Sequence, residues 1–156
     1  MVILGIDPGT GRLGWAVIKT EKNNVRLLAA GCIETPPQTS LPIRLSKIFT
    51  DLSAIIKRYQ PDTASVEQLF FATNAKTVMD VGAARGVVLL TCQLENLAIA
   101  HYTPLQIKSS LTGYGKADKK QVAFMVAKIL KIAKSELPKL DDSVDAIAAA
   151  LTHSFR

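Results

Sequence analysis

Cysteine and histidine are nearly absent from this sequence: Cys32 and Cys92 stand far apart in apolar stretches, and His101 and His153 are the only histidines. None of these residues has a partner at metal-ligand spacing. That excludes a zinc ribbon and a disulfide scaffold, and the expectation is two buried thiols in a reducing compartment. No apolar run approaches the ~20 residues needed to cross a bilayer, so no membrane-spanning segment is expected. Met1 is followed at once by Val2-Ile3-Leu4-Gly5-Ile6-Asp7, with neither a basic leader nor a cleavage site, and the expected location is the cytoplasm. Internal repeats, low-complexity tracts and linkers are missing too, because each proline-rich spot (Pro36-Pro37, Pro61, Pro104, Pro138) falls between periodic segments.

What is present is a chain of 156 residues with 48% hydrophobic and 21% charged residues, expected to form a single domain over 1–156 with one core. Acidic residues are outnumbered, 13 to 19, and the net charge of +6 favours a polyanionic partner. The excess is local. Residues 105–140 carry eight Lys against Asp118 and Glu136, whereas 141–156 are net acidic.

Val2 to Ile6 is a continuous apolar run that stops at Asp7-Pro8-Gly9-Thr10-Gly11, as a strand buried on both faces stops at a turn. Leu13–Thr20 and Val25–Glu34 predict a hairpin meander. The period then changes: Leu41, Leu45, Ile48, Leu52, Ile55 and Tyr59 recur at helical spacing up to Gln60-Pro61. Thr63–Glu67 and Ala98–Tyr102 read as short strands. Residues 74–97, Pro104–Leu111, Asp118–Lys134 and Ser143–Phe155 read as helices. The order β-β-β-α-β-α-β-α-α-α implies an α/β fold, a mixed sheet of about five strands with helices on both faces.

Asp7 closes the first strand and Glu67 the fourth, at the carboxyl ends where α/β sheets bind ligands. Asp142 and Asp145 lie one helical turn apart at the start of the last helix, so they share a face. Asp141 is also co-facial with Asp145, but Asp141 and Asp142 cannot point the same way, and Asp142 is favoured. Each acid alone also fits a structural role: Asp7 seeding a turn, Asp142 capping a helix. Together, four converging carboxylates repel one another by several kcal/mol unless a cation neutralises them, and oxygen-only donors select Mg²⁺ or Mn²⁺ over zinc.

Ile6-Asp7-Pro8-Gly9-Thr10 with Gly14, Val66-Glu67-Gln68 with Phe70 and Asn74, Ala84-Arg85-Gly86, and Asp142-x-x-Asp145-Ala-Ile-Ala together resemble the RuvC-type Holliday-junction resolvases, crossover junction endodeoxyribonucleases with the ribonuclease H fold. The resemblance spans nearly the whole chain. It implies that Asp7, Glu67, Asp142 and Asp145 are the catalytic, metal-binding acids, holding Mg²⁺ (Mn²⁺ substituting) as two ions per site. Some family members have His where this chain has Asp142. It implies four-way junction DNA as substrate, and assigns junction binding to the positions of Lys108 and Lys119 and base stacking to that of Phe70. Lys116 and Lys120, around Gly113-Tyr114-Gly115, suit phosphate contacts on their own chemistry. A homodimer is expected, its two sites matching two equivalent strands and the helix around Gly82-Ala83-Ala84-Arg85-Gly86 its contact face. Family likeness supplies one more expected partner, a branch-migration motor of the RuvA and RuvB type. His101 and His153 read as structural, with His153 a candidate outer neighbour of the site. Three rivals remain: a sugar-kinase-like phosphotransferase, for which the chain has room for only half, a catalytically silent junction-binding module, and a ribonuclease H acting on RNA–DNA hybrids.

Overall fold

The computed structural model describes residues 1–22, 24–68 and 75–156, with backbone alone for 75–77. Five strands, β1 (Val2–Asp7), β2 (Arg12–Glu21), β3 (Asn24–Glu34), β4 (Thr63–Glu67) and β5 (Ala98–Tyr102), form one mixed sheet in the order β3-β2-β1-β4-β5. The meander β1-β2-β3 is antiparallel, while β1-β4 and β4-β5 are parallel. Five helices follow: α1 (Leu41–Tyr59), α2 (Ala75–Leu94), α3 (Pro104–Thr112), α4 (Lys119–Leu130) and α5 (Asp141–Ser154).

Side-chain alternation along the strands separates two apolar layers. Leu4, Ile6, Leu13, Val17, Ala64 and Val66 pack under α1 and α2, against Ile48, Leu52, Val88 and Cys92. Ile3, Ala16 and Ile18 pack under α3, α4 and α5, against Ile107, Val126, Ile147 and Leu151. Helices therefore cover both faces, as the periodicity predicts.

Where helix ends differ from expectation, non-glycine residues in the left-handed region are the cause. Asn96 (φ 59°) ends α2's exit turn, with the Leu97 N–H bonding the Cys92 carbonyl at 2.9 Å, so the helix stops short of residue 97. Lys131 (φ 57°) caps α4 in the same way, Ile132 N–H meeting the Ala127 carbonyl at 3.1 Å. The helix expected over Asp118–Lys134 therefore ends at Leu130, and Lys131 and Lys134 lie beyond it. α5 begins earlier than predicted, at Asp141, and its N-cap is Leu140. Asp142 accordingly lies inside the first turn and caps nothing.

α5 lies unusually close to the sheet. A Cβ added at Gly14 would stand 1.9 Å from the Asp142 carbonyl oxygen, and one at Gly5 2.0 Å from that of Ala146. Buried Ser65 on β4 donates its hydroxyl to the Ala149 carbonyl at 2.7 Å, and Cys32 Sγ on β3 meets Ser143 Oγ at 3.1 Å. Four strands thus fix the helix, and its first turn is set beside the end of β1. Gly14→Ala should push α5 off the sheet at a cost of about 1–3 kcal/mol. A thermal melt unchanged from that of the unaltered protein would show that the close approach is not needed.

Candidate active site

β1 and β4 are hydrogen-bonded neighbours, paired Ile6 to Val66, so Asp7 and Glu67 follow side by side at their carboxyl ends. α5 brings Asp142 and Asp145 to the same place, because Asp7 pairs in register with Gly14, the residue on which Asp142 rests. The electrostatics show the convergence. Burial first, then the charges of Asp145 and Asp142, push the Asp7 carboxyl up from 3.8 to about 7. Glu67 rises from 4.5 to about 8 through burial, then Asp7 and Asp145, with Lys108 and Lys119 opposing. Burial also raises Asp145, against the pull of Lys119. Asp142, not Asp141, is the neighbour that Asp7 feels, and Asp141 is largely exposed (74%). The choice of Asp142 over Asp141 therefore agrees with the placement of both.

Basic residues flank the acids. Lys119, the first residue of α4, places Nζ 3.5 Å from Asp145 Oδ2 and 3.6 Å from Asp141 Oδ2. Burial opposes the charged ammonium, but Asp145 and Asp141 outweigh it and raise its pKa. Lys108 on α3 lines a cleft with Glu67, Lys119 and Asp145. Lys116 and Lys120 are exposed beyond this cleft, and neither pairs with a carboxylate among the described residues. Arg12 Nη1 meets Asp142 Oδ2 at 3.4 Å, a contact the sequence reading missed although Arg12 directly follows the Asp7–Gly11 turn.

Phe70, assigned to base stacking by resemblance, lies outside the described residues, as do Phe71 and Asn74. His153 stands in the last turn of α5, at the far end from Asp142, and its Nδ1 lies 2.9 Å from the Tyr102 hydroxyl. His101 pairs through Nδ1 with Arg85 at 3.3 Å. Among the described residues, neither contacts one of the four acids.

The donor set fits a hard divalent cation, being carboxylate oxygens whose mutual repulsion only a positive charge relieves. The one nearby soft donor, Cys32, is held as a thiol: burial raises its pKa, and Asp142 adds to the shift. As the side chains stand, no three acids among the described residues are arranged to share an ion. The Lys119 ammonium bridges two of them instead. An ion held by Asp145 would compete with the Lys119 ammonium for that carboxylate.

A mixed sheet whose central parallel strands end in carboxylates, faced by a helix bearing two more, is the layout of a ribonuclease H-like metal-dependent nuclease. The family model for "Crossover junction endodeoxyribonuclease RuvC" matches residues 3–153. The chain belongs to the RuvC family. It is 47% identical over 154 residues to the crossover junction endodeoxyribonuclease RuvC of Desulforamulus reducens, covering 99% of this chain and 93% of that one. Against the Syntrophomonas wolfei protein of the same name the identity is 44% over 153 residues, covering 98% and 88%. The solved structure of T. thermophilus RuvC in complex with Holliday junction substrate superposes with a TM-score of 0.92 at 35% identity, covering 99% of this chain and 93% of that one.

Raised carboxyl pKa values have a direct consequence for stability. Asp7 and Glu67 hold protons in the folded protein up to pH 7–8 that they release near pH 4 when unfolded. Stability from this source is fully present below about pH 4 and is lost as pH rises through 7–8, by a few kcal/mol at most. In chelator, the melting temperature should fall from pH 5 to pH 8, and Asp7→Asn should flatten the fall. A profile that stays level in the unaltered protein would contradict the buried, mutually repelling acids.

Proposed function

We propose that this protein is a structure-selective endonuclease of one ribonuclease H-like domain (1–156). It resolves Holliday junctions by hydrolysing phosphodiester bonds in two symmetric strands, during recombination and DNA repair in a bacterial cytoplasm. The observation that carries this reading is the burial of Asp7 and Glu67 side by side at the ends of β1 and β4, with Asp145 of α5 close enough to raise both carboxyl pKa values further, in a chain of the RuvC family. A catalytically silent module would not need such a costly cluster.

Asp7, Glu67, Asp142 and Asp145 are the residues that would hold two Mg²⁺ ions, with Mn²⁺ able to substitute. When bound, such ions supply a water of lowered pKa and charge stabilisation at the departing 3′ oxygen, leaving a 5′ phosphate. The carboxylates orient the site from the rigid ends of two strands and one helix, so little reorganisation remains at the moment of reaction. Lys108, Lys116, Lys119 and Lys120 contact backbone phosphates and position the four-way junction without reading bases. Phe70, three residues past Glu67, stacks on a junction base.

The enzyme acts as a homodimer through α2. This helix shows no single apolar stripe in its sequence, and Met79, Leu90 and Leu94 are exposed on it. A Cβ at Gly82 or Gly86 would meet nothing within 4 Å, leaving an open track for a second backbone. Two-fold symmetry then supplies two matched sites for two equivalent strands. A branch-migration motor of the RuvA and RuvB type is the partner that presents the junction.

The test is cleavage in Mg²⁺ of a four-way junction, a linear duplex and an RNA–DNA hybrid in parallel. Paired symmetric nicks on the junction alone are expected, and Asp7→Asn or Glu67→Gln should lower the rate by on the order of 10²-fold or more while junction affinity changes little. Full activity in Asp7→Asn, or preference for the hybrid, would overturn the assignment.

A further inference from the structure

Two arginines on the β2–β3 side of the acids play no part in the function as described so far. Arg12 opens β2 and contacts Asp142 through a single nitrogen, yet its side chain is 53% exposed, so most of its donors face solvent. Arg44 on α1 is half-buried and has no carboxylate partner among the described residues. Among the described residues its one side-chain hydrogen bond is from Nε to Thr35 Oγ1, at 2.9 Å. An arginine with its charge partly desolvated and its terminal nitrogens uncommitted is unusual.

The surroundings hold the Arg44 guanidinium in place. Thr35, itself buried, donates its hydroxyl to the Thr10 carbonyl and its N–H to the Gly11 carbonyl at 3.0 Å, tying the turn after Asp7 to the end of β3. Arg44 Nη2 lies 3.7 Å from where a Cβ would stand on Gly11, so the bare glycine backbone leaves room beside the guanidinium. Arg12, Gly11 and Thr35 line one groove that runs to Asp142 and Lys119. Glu34 and Asp141 line it as well, and Arg44 flanks it through its contacts with Thr35 and Gly11.

We propose that Arg12 and Arg44 form a phosphate-binding site on the β2–β3 side of the acids, which grips the backbone of the nucleic-acid strand beside the bond to be cut. Lys108 follows β5 at the other side of the sheet. A strand held at both places crosses the acid cluster between them. Planar guanidinium forks suit phosphate better than ammonium groups do, and Arg44 is anchored by Thr35, so this is the side that sets the register of the scissile bond. The inference rests on the junction-cleaving reading.

Binding of a four-way junction in Ca²⁺, followed over a series of KCl concentrations, tests it. Arg12→Ala with Arg44→Ala should weaken binding about tenfold and make the slope of log affinity against log salt shallower by about 0.9, the value for one phosphate. Arg44→Lys, which keeps the charge, should restore most of that slope. In Mg²⁺, the double variant's cleavage sites should spread to neighbouring bonds. Melting curves of each variant exclude a folding defect as the source, since an unfolded fraction lowers apparent affinity without changing the slope. An unaltered slope and cleavage position in a double variant that binds the junction would overturn the phosphate site alone. Failure of the unaltered protein to bind junctions would overturn the function on which it rests.

Discussion

Everything at the candidate site depends on one steric constraint, the contact of α5 with bare backbone at Gly5 and Gly14. A methyl group at Gly14 would overlap the carbonyl of Asp142 itself, so the same residue that admits the helix also sets the height of its first acid above the sheet. Ser65 and Cys32 then hold the helix laterally from β4 and β3. Because the carboxylates come from two strands and a helix, only such rigid docking brings groups more than a hundred residues apart in the chain to one place.

That docking works against stability. Packing Asp7 and Glu67 into an apolar floor and then adding Asp142 and Asp145 opposite them raises carboxyl pKa values by burial and by like charge together. The chain offsets this with Lys119 and Arg12, each shared with an acid from α5 at 3.4–3.6 Å. These contacts are long and largely exposed, worth little as ion pairs. They leave the acids poised to exchange a side-chain cation for a divalent one. Strongly perturbed groups gathered at strand ends mark a candidate functional site.

Much of this was legible in the sequence because the informative residues obey simple spacing rules. Asp7 and Glu67 each end an apolar run, and α1 shows its buried stripe at helical period up to Gln60, whose left-handed cap stands just before Pro61. The helix end at Lys131 was illegible, since lysine is not a residue that the left-handed region favours, whereas Asn96 is of a type that does adopt it and was the one available sign that α2 stops early. The choice between Asp141 and Asp142 turned on where α5 begins, which a first turn capped by no side chain does not announce. α2 mixes polar residues with apolar ones on every side, so periodicity alone could not say which side meets the sheet and which stays open. Arg44 was invisible for a different reason: its significance comes from Thr35 and Gly11, on two other segments, and no local pattern links them.

The most direct measurement is X-ray diffraction from crystals soaked in Mn²⁺, with data collected at the manganese absorption edge. Anomalous density between the carboxylates of Asp7, Glu67, Asp142 and Asp145, with Lys119 turned away from Asp145, is the expected result. Manganese bound only elsewhere on the molecule, with Lys119 still bridging Asp145 and Asp141, would contradict the account.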